Sequence, residues 1–171
     1  GDTHMSKQLR DVYVVAATRT PIGKSGRGVF KNTRPDDLLV ATIKNALKQV
    51  PTLDPAAIED AIVGCAMPEG EQGMNVAKIA TLLSGLPKTV AGATVNRFCA
   101  AGITAVSMAA DRIRVGEAEV MLAGGVESMS MVPMGGSKPS FNPKVVDLDE
   151  NVGIAYGMGM TAEKVAEQWK V

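Results

Sequence analysis

Histidine and cysteine are scarce in this chain of 171 residues. It contains one histidine, His4, and two cysteines, Cys65 and Cys99. Two thiols are too few for a disulfide scaffold, and without clustered thiols or histidines the sequence predicts no metal site. Residues 1–5 resemble an expression-vector remnant, so we expect Met5 to be the natural start and the remaining chain to hold no histidine.

Net charge and long apolar runs are also missing. The 18 lysines and arginines balance 18 acidic residues, which gives no reason to expect nucleic acid or an anionic membrane as a partner. No uncharged apolar stretch reaches the roughly 18 residues that a membrane span requires. The N-terminus has no basic and then apolar signal pattern. We therefore expect a cytoplasmic protein with reduced thiols.

Short apolar runs alternate with segments of helical spacing, in the order βαβαβαβ. This alternation predicts an α/β fold with a mainly parallel sheet. The predicted strands are short, apolar and rich in β-branched residues; they cover residues 12–18, 61–67, 91–98 and 120–126. The predicted helices begin at Pro35, Val76 and Ala100, and a further helical pattern covers residues 161–169.

The helix predicted from Ala100 carries no charge before Asp111. A helix that is apolar all round is buried all round. Because a single three-layer domain leaves its helices half exposed, we expect a second domain or another subunit to cover the outer face of this helix. After Glu127 the sequence becomes rich in Met, Gly and Pro, which indicates an excursion from the sheet over residues 128–157.

Cys99 is the main candidate for covalent chemistry, because it lies where the third predicted strand gives way to a helix. The positive end of a helix dipole and its unpaired N–H groups favour the thiolate, which is the reactive form. The same N–H groups stabilise charge that develops on a carbonyl oxygen. The alternative is a small buried hydrophobe, as most free cysteines are. For Cys65, within a predicted strand, we expect that core role.

Three other features have weaker interpretations. Gly124 and Gly125 fit neither a P-loop nor a dinucleotide fingerprint, so we expect a tight backbone approach beneath the cysteine. The basic loop at residues 19–34 is either a solvated surface or an anion contact. The methionines of the C-terminal region either line an adaptable acyl pocket or pack under a loop; they are Met129, Met131, Met134, Met158 and Met160.

Four segments of the sequence resemble the thiolase family. They read VVAATRTPIG at residues 14–23, VNRFCAAG at 95–102, AGGVESMS at 123–130 and GMGMTAE at 157–163. The match runs from Asp11 to the last residue. Within the family the chain most resembles the bacterial degradative 3-ketoacyl-CoA thiolases, which are acetyl-CoA C-acyltransferases.

The resemblance implies a fold of two similar α/β halves stacked in five layers, αβαβα. Residues 6–127 then form the N-terminal α/β domain, and residues 128–171 begin an inserted loop domain. In this arrangement the helix after the nucleophile lies in the central layer. The resemblance also implies homodimers or tetramers, with the strand before Cys99 near the interface.

The resemblance further implies acyl transfer between 3-ketoacyl-CoA and CoA, of the fatty acid β-oxidation type. Cys99 attacks the 3-keto carbon, its backbone N–H contributes to an oxyanion hole, and Met158 lines the pocket of the acyl thioester. Asn96 and Arg97 support the nucleophile loop. Coenzyme A is a co-substrate, and no cofactor is bound covalently.

Thiolases continue for a second domain, which carries a Gly-His-Pro histidine, a second cysteine and an asparagine loop. We therefore expect this chain to need a C-terminal half, and to be inactive alone. It also departs from many relatives in having Ala101 instead of serine, and Gly157 where biosynthetic members have histidine. The alternatives are a ketoacyl synthase relative, an acetoacetyl-CoA thiolase of the biosynthetic type, and a truncated module that only binds or dimerises.

Overall fold

The computed structural model describes residues 8–171. The predicted remnant at residues 1–5, with His4, lies outside them. The chain divides into two compact units, one ending at Ser137 and the other covering Lys138 to Val171. The domain boundary expected between residues 127 and 128 stays a prediction.

Helices and strands alternate along the first unit, and one further helix lies in the second. In chain order they are α1 (Pro35–Lys48), β1 (Asp60–Gly64), α2 (Val76–Leu83), β2 (Ala91–Val95), α3 (Ala101–Arg114), β3 (Met121–Gly125) and α4 (Met158–Trp169). Short 3-10 helices cover Pro55–Ala57, Gly70–Gln72, Pro143–Val145 and Asp149–Ala155.

Local sequence explains where these helices begin and end. The first position of α1 is Pro35, and two aspartates follow it near the positive end of the helix dipole. Asp54 caps the short helix Pro55–Ala57, because its side chain accepts a hydrogen bond from the amide of Ala56 at 3.0 Å. Gly85, with a φ of 81°, takes the left-handed conformation just after α2.

The three strands form one parallel sheet in the order β2-β1-β3. The last residue of the central strand, Gly64, pairs with Val95 on one side and with Gly125 on the other. All three carboxyl ends therefore meet at one edge, which is where parallel sheets collect functional groups. The predicted α/β class and its parallel sheet are confirmed.

The two faces of the sheet carry different helices. On one face, α1 and α2 pack over a large apolar core formed by Leu39, Ile43, Ile58, Val63, Cys65, Val76, Ala77, Ala80, Leu86 and Val90. On the other face, α3 buries Ala105 and Ala109 against Ile62. Small alanine side chains bring α3 close to the strands.

The prediction of a buried strand over residues 12–18 is wrong within the described part of the chain. This segment joins no sheet there, and Tyr13, Val14 and Val15 are exposed. Its backbone is held at Ala17, whose amide and carbonyl both hydrogen-bond to the side chain of Gln49. The segment and β3 line the same cavity of about 640 Å³. A strand needs a neighbouring strand to bury it, and residues 8–171 place none against this segment.

Within residues 8–171, α3 has one buried face, and the outer face that we expect a second domain or another subunit to cover is exposed. Ala101, Ala105 and Ala109 are buried, but Ile103 is 75% exposed. Val106 and Met108 are exposed beside it. The apolar sequence of α3 thus requires more cover than these residues supply.

The second unit is less buried than the first. None of its residues, 138–171, is buried, and α4 begins at Met158. Among residues 8–171, no helix combines the length and apolarity needed to cross a membrane.

Candidate active site

The N-terminus of α3 rests on two glycines at the carboxyl edge of the sheet. A Cβ on Gly64 would lie 2.5 Å from the amide nitrogen of Gly102, and closer still to the carbonyl of Ala101. A Cβ on Gly125 would lie 3.4 Å from the Cα of Gly102. Only a glycine fits at position 64, because any side chain there would push α3 away from the sheet. The backbone approach predicted at Gly125 is present, whereas Gly124 has open space beside it.

A tight turn connects β2 to α3 and presents Cys99. The side chain of Asn96 accepts a hydrogen bond from the amide of Phe98 at 2.8 Å. The amides of Ala100 and Ala101 donate to the carbonyls of Arg97 and Phe98, each at 3.0 Å. Asn96 therefore has the supporting position that the resemblance implied for it, through its Asx turn.

The backbone of this turn is strained at Phe98. Its φ is 45°, in the left-handed region that a bulky side chain rarely adopts. Such conformations cost on the order of 1–3 kcal/mol and cluster at functional sites. The strained residue directly precedes Cys99, whose side chain is exposed.

Cys99 is exposed, two residues before α3 begins. No side chain caps the helix, and its first turn contains no acidic residue. The positive end of the helix dipole beside Cys99 is therefore not neutralised by the protein there. An exposed thiol at such an end is suited to nucleophilic attack on a carbonyl carbon.

Cys65 lies in a contrasting environment. It is 1% exposed, on the side of the sheet that faces α1 and α2. Burial, and then the negative charge of Glu127, raise the pKa of the Cys65 thiol to about 12. The prediction that Cys65 is a core residue is confirmed.

A polar cluster of Gln72 and Glu127 ties together the ends of β1 and β3. The Gln72 side chain, with 0% exposure, donates to the carbonyl of Met67 at 2.8 Å and accepts from the amide of Ser128 at 2.9 Å. It also donates to the carboxylate of Glu127, whose second oxygen accepts from the amide of Ala66 at 2.7 Å. Every polar atom of the Gln72 side chain is thus paired. Sequence reasoning missed this cluster; its available signal was a glutamate placed directly after the predicted strand at residues 120–126.

The other predicted residues have less defined surroundings. Arg97 is exposed in the Cys99 turn. In the basic loop, Arg34 forms an ion pair with Asp36, and the amide of Gly26 donates to the Ser130 hydroxyl at 2.9 Å. Met158 belongs to the second unit, where it is the first residue of α4 and is 62% exposed.

We compared the sequence of the chain with known protein families. A family model described as the thiolase N-terminal domain matches residues 12–171. The chain belongs to the thiolase family. The resemblance in the four sequence segments is therefore confirmed, and the family's members are acyltransferases.

Several bacterial thiolases are similar to the chain over nearly all of its length. The 3-ketoacyl-CoA thiolase of Colwellia psychrerythraea is 42% identical, across 94% of this chain and 41% of the relative. The 3-ketoacyl-CoA thiolase of Bacillus subtilis is 39% identical, across 95% and 41%. The 3-oxoadipyl-CoA/3-oxo-5,6-dehydrosuberyl-CoA thiolase of Escherichia coli is 38% identical, across 95% and 44%.

The solved structures agree. A crystal structure of the Bacillus anthracis acetyl-CoA acetyltransferase superimposes with a TM-score of 0.78 at 33% identity, covering 97% of this chain and 44% of that one. The chain thus spans less than half the length of the thiolases that it matches.

Proposed function

We propose that this chain is the N-terminal part of a thiolase that uses Cys99 to transfer an acyl group between a 3-ketoacyl-CoA and CoA. The observation that carries the proposal is the position of Cys99. Its thiol is exposed on a strained turn at the uncapped N-terminus of α3. The names of the similar bacterial proteins support the substrate class.

The proposed reaction has two steps. The Cys99 thiolate attacks the 3-keto carbon, and the bond between carbons 2 and 3 breaks. The electron pair leaves with the two-carbon fragment, which takes a proton and departs as acetyl-CoA. The thiolate of a second CoA then attacks the Cys99 thioester, releasing the shortened acyl-CoA and restoring the cysteine. In the first step the backbone N–H of Cys99 donates to the developing oxyanion.

This chemistry needs a group that accepts and returns protons, most often a histidine. The described residues, 8–171, contain no histidine. In this proposal the base and a second cysteine come from the C-terminal half of the enzyme, so residues 1–171 alone do not turn over.

Two features of the first unit support a missing half. The outer face of α3 exposes Ile103, Val106 and Met108. The cavity of about 640 Å³ is bordered by β3 and by the apolar segment at residues 12–18. Both are apolar surfaces that a further layer of chain would bury.

The finer assignments follow the resemblance. Met158 lines the acyl pocket, and the enzyme works in the cytoplasm as a homodimer or tetramer. The exposed edge strand β2, with Ala91 and Ala93 open to solvent, suits an interface between subunits. Gly157, in place of a histidine, favours the degradative class over the biosynthetic one.

The test uses an enzyme in which this chain is joined to, or mixed with, its C-terminal half. We expect Cys99→Ala to lower kcat for thiolysis by about four orders of magnitude or more, as the loss of a nucleophile does. Cys65→Ala is the matched control and keeps kcat within about threefold. An acyl adduct on Cys99, located by peptide mass spectrometry, supports the proposal. Full turnover by Cys99→Ala would refute it.

The same assay decides between two substrate ranges. The structural likeness to an acetyl-CoA acetyltransferase favours, as a second candidate, an acetoacetyl-CoA thiolase. A degradative enzyme cleaves 3-ketoacyl-CoA substrates of six or more carbons at least as fast as acetoacetyl-CoA. Cleavage of acetoacetyl-CoA alone would establish the second candidate.

A further inference from the structure

We propose that Gln72 and Glu127 are positioning residues for Cys99, because they lock the strand ends on which the nucleophile turn and the start of α3 rest. This inference rests on the proposed role of Cys99. Glu127 lies beside Cys65, which packs on the α1 and α2 side of the sheet, whereas α3 packs on the opposite side.

The first step of the argument is that the two residues form a closed clamp. Gln72 holds the chain after β1 through Met67 and the chain after β3 through Ser128. Glu127 holds the same two segments, since it follows β3 and accepts from the amide of Ala66. The Gln72–Glu127 hydrogen bond joins the two halves of the clamp. A fully paired polar network of this kind fixes a single local geometry.

The second step follows the backbone from the clamp to Cys99. Ala66 is adjacent to Cys65, whose amide donates to the carbonyl of Val95 at 3.0 Å. Val95 is the last residue of β2 and immediately precedes the Cys99 turn. A shift at Ala66 therefore reaches the start of the turn through one residue and one hydrogen bond.

The third step concerns the floor under α3. The amide of Val126 donates to the carbonyl of Gly64 at 3.0 Å, directly before Glu127. Gly64 and Gly125 are the residues on which Ala101 and Gly102 rest. Ala66 and Glu127, which belong to the clamp, each follow one of these glycines by two residues. The clamp therefore fixes the backbone that supports the N-terminus of α3. The rate of a catalysed reaction depends on sub-ångström placement of the nucleophile. Gln72 and Glu127 therefore affect the rate by fixing the backbone around Cys99, although they touch no substrate.

The chemistry of the pair provides a swap that separates positioning from simple stability. Gln72→Glu places two carboxylates together, and Glu127→Gln places two amide N–H groups together. In the double variant, the new carboxylate at position 72 accepts from the amide of Ser128 and from the new side-chain amide at position 127, whose oxygen accepts from Ala66. The bond to Met67 is lost, because the Met67 carbonyl oxygen then faces a carboxylate oxygen instead of an amide N–H. The double variant therefore restores most of the clamp, and a double-mutant cycle measures the coupling.

The first experiment uses the full chain of 171 residues and measures alkylation of Cys99 by iodoacetamide, resolved by peptide mass spectrometry. Each single variant is expected to slow alkylation at neutral pH at least threefold, because the sulfur no longer sits correctly at the N-terminus of α3. The double variant should recover to within about 1.5-fold of the original rate. Glu163→Gln, an exposed carboxylate on α4, is the matched control and should change nothing.

The second experiment measures turnover in the enzyme completed with its C-terminal half. The single variants should lower kcat at least tenfold with KM within twofold, and the swap should recover kcat to within threefold. If Gln72→Glu does not fold, Glu127→Gln, at an exposed position, gives the same test alone. Loss of melting temperature with unchanged alkylation and kcat would overturn the proposal, as would failure of the swap to recover either rate. If instead Cys99→Ala turns over normally, the proposed function fails, a result distinguishable from these.

Discussion

On one face of the sheet, α1 and α2 bury ten apolar residues in a continuous core. On the other face, α3 buries three and exposes much of its apolar sequence. The two cysteines divide in the same way: Cys65 lies in the closed core, and Cys99 lies on the α3 side and is exposed. The closed face gives a rigid base. The open face carries the exposed thiol of Cys99, together with an exposed apolar surface on α3.

The largest expected difference between the two faces is in how much an isoleucine-to-alanine substitution lowers the free energy of unfolding. Ile43, on α1, is 7% exposed, and Ile103, on α3, is 75% exposed. We expect Ile43→Ala to lower the free energy of unfolding by about 2–5 kcal/mol, through lost burial and a cavity. Ile103→Ala should change it by less than about 0.5 kcal/mol. Urea unfolding of the chain, followed by circular dichroism, measures both.

The same pair also tests what covers the open face. In the enzyme completed with its C-terminal half, Ile103→Ala should cost several times more than in this chain, because the side chain is then buried. Equal and small effects of Ile103→Ala in both proteins would show that α3 stays exposed. That result would contradict the proposal of a second layer.

A smaller difference in stability should separate alanine substitutions at two glycines near the carboxyl ends of the strands, Gly64 and Gly124. Gly64→Ala should destabilise the chain by about 1–3 kcal/mol, because the methyl group overlaps the backbone of Ala101 and Gly102. Gly124→Ala is the matched control, since no atom lies within 4 Å of the added methyl group. Thermal unfolding gives the stabilities. Alkylation of Cys99 reports whether the turn has moved. Equal melting temperatures for the two variants would contradict the close approach.

Much of the fold could be predicted because it depends on local pattern. The apolar spacing before Gly85 and Pro87 gave α2 at residues 76–83, as observed. The short runs gave β1, β2 and β3, with ends within a few residues. The segment at residues 12–18 has an equally strong strand pattern, but pairing depends on a neighbour at its side. Pattern alone could not supply that neighbour.

The site was predictable only in part, for a similar reason. Cys99 could be named as a candidate because a strand pattern changes to a helix pattern at that residue. Gln72 could not, since a glutamine in a glycine-rich loop has no periodicity that marks it as buried. Its proposed role rests on contacts with Met67 and Ser128, which are distant along the chain from one another. Whether Met158 lines the acyl pocket stays a prediction.

The last predicted effect concerns the closed face and depends on pH. An unfolded cysteine has a pKa of about 8.5, whereas burial and then the Glu127 carboxylate raise the pKa of Cys65 to about 12 in the folded chain. Below about pH 8.5 both states keep the proton, so the stability contribution is complete. Between about 8.5 and 12 only the unfolded state loses it, and stability therefore falls as pH rises.

The expected slope from Cys65 is at most about 1.4 kcal/mol per pH unit. Lysines and tyrosines also titrate in this range, so the measurement is the difference in unfolding free energy between the original chain and Cys65→Ala. That difference should be constant from pH 6 to 8 and should shrink between pH 9 and 10.5. Cys99→Ala is the control, because it removes the exposed thiol and leaves the buried one in place. A difference that stays flat to pH 10.5 would mean that Cys65 ionises as easily in the core as in solvent, and the closed face would then be less closed than its packing indicates.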